Sequence, residues 1–246
     1  MYKEFLEATI KANQEIYQKI NKKHKKSWQK ELSLGAGGDI SSGFDIFAEK
    51  IFLKYLQKFG KIDSEECGIV GKGEYSIIID PLDGSSNAKS YFPYFGSSVA
   101  LKDKKGKVKV SVVANFANGD IFYRVEDEPL MVATLYNLCF KEEKKVLKPK
   151  IGLFEKAHEN YKLIKMLSKK NLKFRSPGAT ALSIAYAHRV KFVLFVGEIR
   201  EYDIAAGIHL CLDLQVKIAK DYVIITDDKK LLKNLEKMIK KSRNKK

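Results

Sequence analysis

The sequence predicts a layered α/β protein, on three observations. An Asn118-Gly119 dipeptide between two β-rich runs marks an antiparallel hairpin in the first half. Strand-like and helix-like segments alternate through the second half. Two amphipathic helical segments lead the chain, and its 246 residues are enough to bury a sizeable core.

Residues 2 to about 22 read as the first helix. A polar stretch containing Gly35, Gly37 and Gly38 follows and reads as a loop. In FDIFAEKIFLKYLQKF, Ile46, Phe47, Leu53, Leu56 and Phe59 recur at near-helical spacing, which predicts a second helix stopped by Gly60. Glu65-Glu66 falls in a turn. The apolar run Ile77 to Ile79 ends in Asp80-Pro81, a buried strand running into a turn. SSVALK and KVKVSVVANF are strands, and the latter joins DIFYRV through Asn118-Gly119. The charged KEEKKVLKPK marks a boundary, dividing the chain into residues 1–145 and 146–246. Beyond it, KIGLF is a strand and Tyr161 to Leu167 is helical. LKFRS is a strand, and Pro177-Gly178 opens the helix ATALSIAYAHR. KFVLFV is a strand, YDIAAGIHLCLDL a helix, and VKIAK and YVIIT short strands before a basic helix from about Lys229.

Composition narrows the function. Cys67, Cys139 and Cys211 are odd in number and widely spaced, which argues against a disulfide framework or a zinc knuckle and fits a reducing cytoplasm. No stretch approaches the roughly 20 apolar residues of a membrane helix, so no membrane partner is expected. The net charge of +16 comes mostly from lysine, with clusters at Lys22, Lys23, Lys25 and Lys26 and in the terminal KKSRNKK. No nucleic-acid motif or interleaved aromatic pattern accompanies these lysines, so they read as a solvated surface that attracts small anions. His24, His158, His188 and His209 lack zinc-ligand spacing.

The chemistry concentrates in Asp80-Pro81-Leu82-Asp83-Gly84-Ser85-Ser86-Asn87. Two carboxylates stand three residues apart at a strand end. Pro81 favours a tight turn between them, and Gly84 allows a ligand to approach the backbone. Ser85, Ser86 and Asn87 are suited to capping a helix whose free N–H groups would face an anion. Carboxylates for cations beside amides for phosphate suit a metal-dependent phosphatase. Alone, the segment also fits an acidic turn with a capped helix. Asp45 and Asp203 each open a predicted helix, where ordinary helix-start acids also occur.

DPLDGSSN, with Ser-Glu-Glu upstream and Tyr-Asp-Ile-Ala-Ala-Gly downstream, resembles the inositol monophosphatase and fructose-1,6-bisphosphatase superfamily, in order from about Asp39 to Gly207. The resemblance implies a five-layer α-β-α-β-α sandwich and a Mg²⁺-dependent phosphomonoesterase for inositol-1-phosphate or fructose-1,6-bisphosphate. A nucleotide such as 3′-phosphoadenosine 5′-phosphate is the alternative substrate, and a non-catalytic anion- or nucleic-acid-binding relative is a rival of another class. The resemblance implies that Glu65, Asp80 and the Leu82 carbonyl hold one Mg²⁺, and that Asp80, Asp83 and Asp203 hold a second. Glu65 with Glu66, and Asp39 through water, would serve a third. Mn²⁺ is an expected substitute and Li⁺ an expected inhibitor. Asp45 matches the acid beside the attacking water, and Ser85 would hydrogen-bond Asp45 to orient that water. Gly84, Ser85 and Ser86 would bind phosphate. Gly178, Ala179 and Thr180 match a segment lining the sugar or inositol pocket, with Glu198, Arg200 and Arg175 as charged candidates beside it. Arg200 in particular could grip a second phosphate. A homodimer or higher homo-oligomer is also expected.

Overall fold

The apolar stripes of the first two segments form α1 (Tyr2–Lys22) and α2 (Gly43–Leu56), the latter extended by a 3-10 turn to Gly60. Between them lies an antiparallel hairpin, β1 (Glu31–Leu34) and β2 (Ile40–Ser42). The computed structural model describes residues 1–22, 28, 30–38 and 40–243. Then come β3 (Lys61–Ser64), β4 (Gly68–Val70), β5 (Ser76–Asp83) and the short helix α3 (Ser85–Lys89). The antiparallel run β6 (Gly96–Lys102), β7 (Val108–Asn115), β8 (Asp120–Val125), β9 (Met131–Thr134) and β10 (Asn137–Glu142) follows. Past the charged segment are β11 (Gly152–Glu155), α4 (Tyr161–Lys169), β12 (Phe174–Arg175), α5 (Thr180–Ala185) and β13 (Val193–Val196). The chain closes with α6 (Glu201–Leu210), β14 (Gln215–Ile218), β15 (Tyr222–Thr226) and α7 (Lys229–Arg243).

One sheet has eight strands in the order β10-β9-β8-β7-β6-β5-β3-β4, parallel only between β3 and β5. The other has five, in the order β12-β11-β13-β15-β14, with β11 parallel to both neighbours. The apolar alternation of the strands explains how they stack. Successive strand side chains point to opposite faces. In β5, Ile77 and Ile79 join the core under α1 and α2, while Ile78 turns toward α5 and α6. In β13, Leu194 and Val196 pack with α4 and α7, while Val193 and Phe195 turn back toward α5 and α6. Both sheets are thus buried on both faces, which is why their central strands read as continuous apolar runs. The result is the expected α-β-α-β-α sandwich, with α5 and α6 as its middle layer. A fully buried Phe or Ile in these seams contributes about 1.5–3 kcal/mol.

Gly35, Gly37 and Gly38 form a loop as expected, but it is the tip of a hairpin whose strands β1 and β2 were not predicted, and β3, β4, β9 and β10 extend the first sheet without being predicted. Each is short, and edge strands such as β10 lack a two-sided apolar signature. LKFRS shrinks to Phe174–Arg175. The helix from Thr180 gives way to a 3-10 turn at Ala187–Arg189, and the α6 segment stops at Leu210 rather than Leu214. Lys23, Lys25, Lys26 and residues 244–246 lie outside the described residues. Among the described residues, no helix is long and apolar enough to cross a membrane.

His209 ties α6 to the first sheet. It is 5% exposed, and its Nδ1 lies 2.8 Å from the Ser111 hydroxyl of β7. Burial, reinforced by the Arg124 charge, pushes its pKa down to about 4. The folded state therefore favours neutral imidazole, and the unfolded state binds the proton first as pH falls. The stability this supplies is complete above about pH 6.5 and is lost as pH falls toward 4. Urea titrations at pH 7 and pH 5 are expected to show a smaller loss of stability in His209→Gln than in the wild type.

Candidate active site

The site is built where β5 stops being regular. Its register with β6 runs evenly through Asp80 opposite Ser98, then shifts before Asp83 meets Gly96. Pro81 has no N–H to donate to the ladder, and Asp80 Oδ1 accepts the Leu82 N–H at 2.9 Å. In a regular strand residues 80 and 83 would face opposite sides. The irregularity brings both carboxylates into one cavity of about 440 Å³. Gly84 then turns the chain with φ +82°, a left-handed conformation that favours glycine, and α3 begins. A Cβ at Gly84 would lie 3.0 Å from both the Ala179 Cβ and the Tyr94 carbonyl oxygen.

Seven acidic side chains line this cavity among the described residues: Asp45, Glu65, Glu66, Asp80, Asp83, Glu155 and Asp203. They face two permanently charged cations, Lys156 and Arg200. Burial, reinforced by their acidic neighbours, holds the Asp80 and Asp83 carboxyls well above the usual range. Burial also raises Asp45 and Glu155, and lifts Glu66 to about 7 with help from Asp45, Glu65 and Glu49.

Each acid is anchored by its own segment. Glu65 and Glu66 occupy the β3–β4 turn, where the Glu65 N–H donates to the Ile79 carbonyl at 3.0 Å. The hairpin tip folds over them, with Gly37 N–H on the Glu65 carbonyl at 2.6 Å and Ala36 N–H on that of Glu66 at 2.9 Å. The Ser41 hydroxyl bonds the Glu66 carboxylate. Asp203 sits in the first turn of α6. Asp83 Oδ2 accepts the Leu182 N–H from α5 at 2.8 Å.

Leu82, Gly84, Ser85, Ser86, Gly178 and Thr180 also line the cavity. Other expectations need correction. Asp45 does not receive the Ser85 hydroxyl; it closes a capping box at the start of α2, and Ser42 donates both its N–H and its hydroxyl to Oδ2 at 2.6 Å. Ala179 is buried behind the wall, packed toward Gly84. Glu198 is exposed and outside the cavity. Arg175 is exposed, with Nη1 on its neighbour's carbonyl at Phe174. Arg200, expected to grip a second phosphate, instead holds two acids: Nη1 is 2.7 Å from Glu65, and Nε is 3.2 Å from Asp203. Among the described residues the acids do not form a group of three poised around a metal ion. Asp39 lies outside the described residues.

Glu155 was missed. Its Oε2 accepts the Gly178 N–H at 3.0 Å and its Oε1 the Ser183 hydroxyl at 2.5 Å, bracing the 177–180 loop. Asn87 holds the same loop through the Pro177 carbonyl at 2.7 Å. An acid at the end of an apolar strand, beside a lysine, carries no signal that separates it from a solvated one.

The family model described as "Inositol monophosphatase family" matches residues 1–214. The chain belongs to the inositol monophosphatase family. A relative in Methanocaldococcus jannaschii, named a bifunctional NADP phosphatase/NAD kinase, is 27% identical over 217 residues. The match covers 72% of this chain but only 38% of that relative, so the chain spans well under half the length of the bifunctional protein. A fructose-1,6-bisphosphatase/inositol-1-monophosphatase of Thermococcus kodakarensis is 32% identical over 185 residues, covering 73% of this chain and 69% of its own. The crystal structure of the extragenic suppressor protein suhB from Bartonella henselae superposes with a TM-score of 0.80 at 22% identity, covering 96% of this chain and 98% of that one. At that identity the superposition speaks to the fold of the family alone.

The turn at Gly84 gives a direct test. Gly84→Ala is expected to cost at least about 1 kcal/mol in urea denaturation, from the left-handed backbone and the close contacts. It is also expected to depress activity, because the 80–87 segment must shift.

Proposed function

We propose that the chain is a Mg²⁺-dependent phosphomonoesterase acting on a small phosphorylated sugar or polyol, inositol-1-phosphate or fructose-1,6-bisphosphate. One observation carries the reading: among the described residues, seven acids and two permanent cations share a cavity in a protein whose net charge is +16. A phosphate ester is an anion and would be repelled by those carboxylates unless cations invert the local charge. The donor set fits Mg²⁺. Glu65, Asp80, Asp83, Asp203 and the Leu82 carbonyl are hard oxygen donors, which suit Mg²⁺ or Mn²⁺ over softer ions. Glu65 with Glu66 would serve a third ion. Held there, divalent ions supply Lewis acidity toward a phosphoryl oxygen, activation of water and neutralisation of the leaving oxygen.

The chain's own groups do the positioning. The first amides of α3 have no intrahelical acceptor, and Gly84, Ser85 and Ser86 lie at the cavity wall, where those donors meet phosphate oxygens. Asp45, fixed by Ser42, orients the attacking water. The 177–180 loop, held by Glu155 and Asn87, meets the organic part. Water oxygen bonds to phosphorus as the ester P–O bond breaks, and the organic part leaves as an alcohol. A second reading, a nucleotide phosphate as substrate, draws support from the NADP phosphatase named among the relatives.

Phosphate release over inositol-1-phosphate, fructose-1,6-bisphosphate, NADP and 3′-phosphoadenosine 5′-phosphate, with Mg²⁺ and with chelator, separates these readings. Turnover undiminished by chelator would sink the metal-dependent one. Asp83→Asn can keep the Leu182 bond through its amide oxygen while losing the charge. It is expected to fold normally and lose at least about 100-fold in kcat/KM, or ~2.7 kcal/mol.

A further inference from the structure

We infer that Arg200 is the resident counter-cation of the metal site: its guanidinium holds the carboxylates of Glu65 and Asp203, and a divalent ion loads by displacing it. The inference rests on the metal-dependent reading above and adds a competitor to it.

The geometry is that of a cation bound between two acids. Arg200 Nη1 lies 2.7 Å from Glu65 Oε1. Nε and Nη2 lie 3.2 and 3.3 Å from the two oxygens of Asp203. Nη1 also lies 3.5 Å from the Gly37 carbonyl, so the same group touches the hairpin tip. The two acids come from separate elements, the β3–β4 turn and α6, and one planar guanidinium joins them. A lysine, with a single point charge, cannot reproduce that fork.

The accessibilities say which partner moves. The Glu65 and Asp203 side chains are 11% and 8% exposed, whereas that of Arg200 is 33% exposed. The acids are fixed by packed elements, and the arginine reaches them from the open side of the cavity. Leaving two such carboxylates without a cation is costly. Arg200 meets that need before metal arrives. A divalent ion offers twice the charge, and it competes with a guanidinium that already engages Glu65 Oε1 and both oxygens of Asp203.

Competition of this kind weakens apparent metal affinity by the fraction of molecules in which Arg200 has already let go. It also keeps the metal-free chain folded, with Glu65 and Asp203 near each other. Arg200 is thus a positioning residue whose bond to the acids must break on loading.

The test is calorimetric titration of the metal-free full chain with MnCl₂, together with its Tm in chelator. Arg200→Met keeps the length and removes the charge. It is expected to bind Mn²⁺ about tenfold more tightly, to have a lower Tm in chelator, and to show a larger rise in Tm on adding Mn²⁺. Lys156→Met removes a cation from the same cavity, but one whose ammonium lies over the Phe195 ring rather than in a salt bridge to Glu65 or Asp203. An equal gain in that variant would mean general charge repulsion and overturn the inference. Wild-type or weaker Mn²⁺ affinity in Arg200→Met overturns it too. Should Arg200→Met fail to fold, Arg200→Lys makes the same comparison with an expected smaller gain, and an unchanged affinity there counts against displacement. A wild-type chain that takes up no Mn²⁺ overturns the metal-dependent reading along with it.

Discussion

Mutual repulsion among buried carboxylates is the constraint around which this protein is arranged. Like charges in a partly dry cavity raise one another's pKa and resist close approach. The fold gives four of them a hydrogen-bond donor: Leu82 N–H for Asp80, Leu182 N–H for Asp83, Ser42 for Asp45, and Gly178 N–H with Ser183 for Glu155. The Asp80 and Asp45 bonds are local, whereas the Leu182 N–H joins Asp83 to α5, and Gly178 with Ser183 joins Glu155 to the segment leading into α5 and to α5 itself.

The middle layer makes this possible. α5 and α6 pack against both sheets and against each other. Gly207 of α6 approaches α5 so closely that a Cβ there would lie 2.6 Å from Ile184 Cγ2. That contact sets the spacing between the helix carrying Asp203 and the helix whose Leu182 N–H holds Asp83. Behind the site, Arg124 of β8 reaches Asp213, which also accepts from His188, so a polar network continues the same junction away from the cavity.

Charge is divided between surface and interior. The exterior is lysine-rich and favours anions at a distance, while the charged side chains lining the cavity are mainly acids. Arg200 stands at the crossover, a positive side chain held by two of the acids.

The layered class, the central strands and the position of the acid-rich turn were legible in the residues alone. Continuous apolar runs such as Ile77–Ile79 and Phe192–Val196 have one good solution, burial between two layers. Asp80-Pro81-Leu82-Asp83-Gly84 fixes its own local geometry through proline and a left-handed glycine. Short edge strands such as β4 and β10 were not legible, because a few residues with one buried face resemble a turn. Nor were the role of Glu155 and the partners of Arg200. Each depends on which side chains from distant segments share a cavity, and an isolated Glu or Arg carries the same local signal whether it meets water or another charge. Only tertiary packing decided that Asp45 answers to Ser42, that Glu155 braces the loop at Gly178, and that Arg200 turns inward to Glu65 and Asp203.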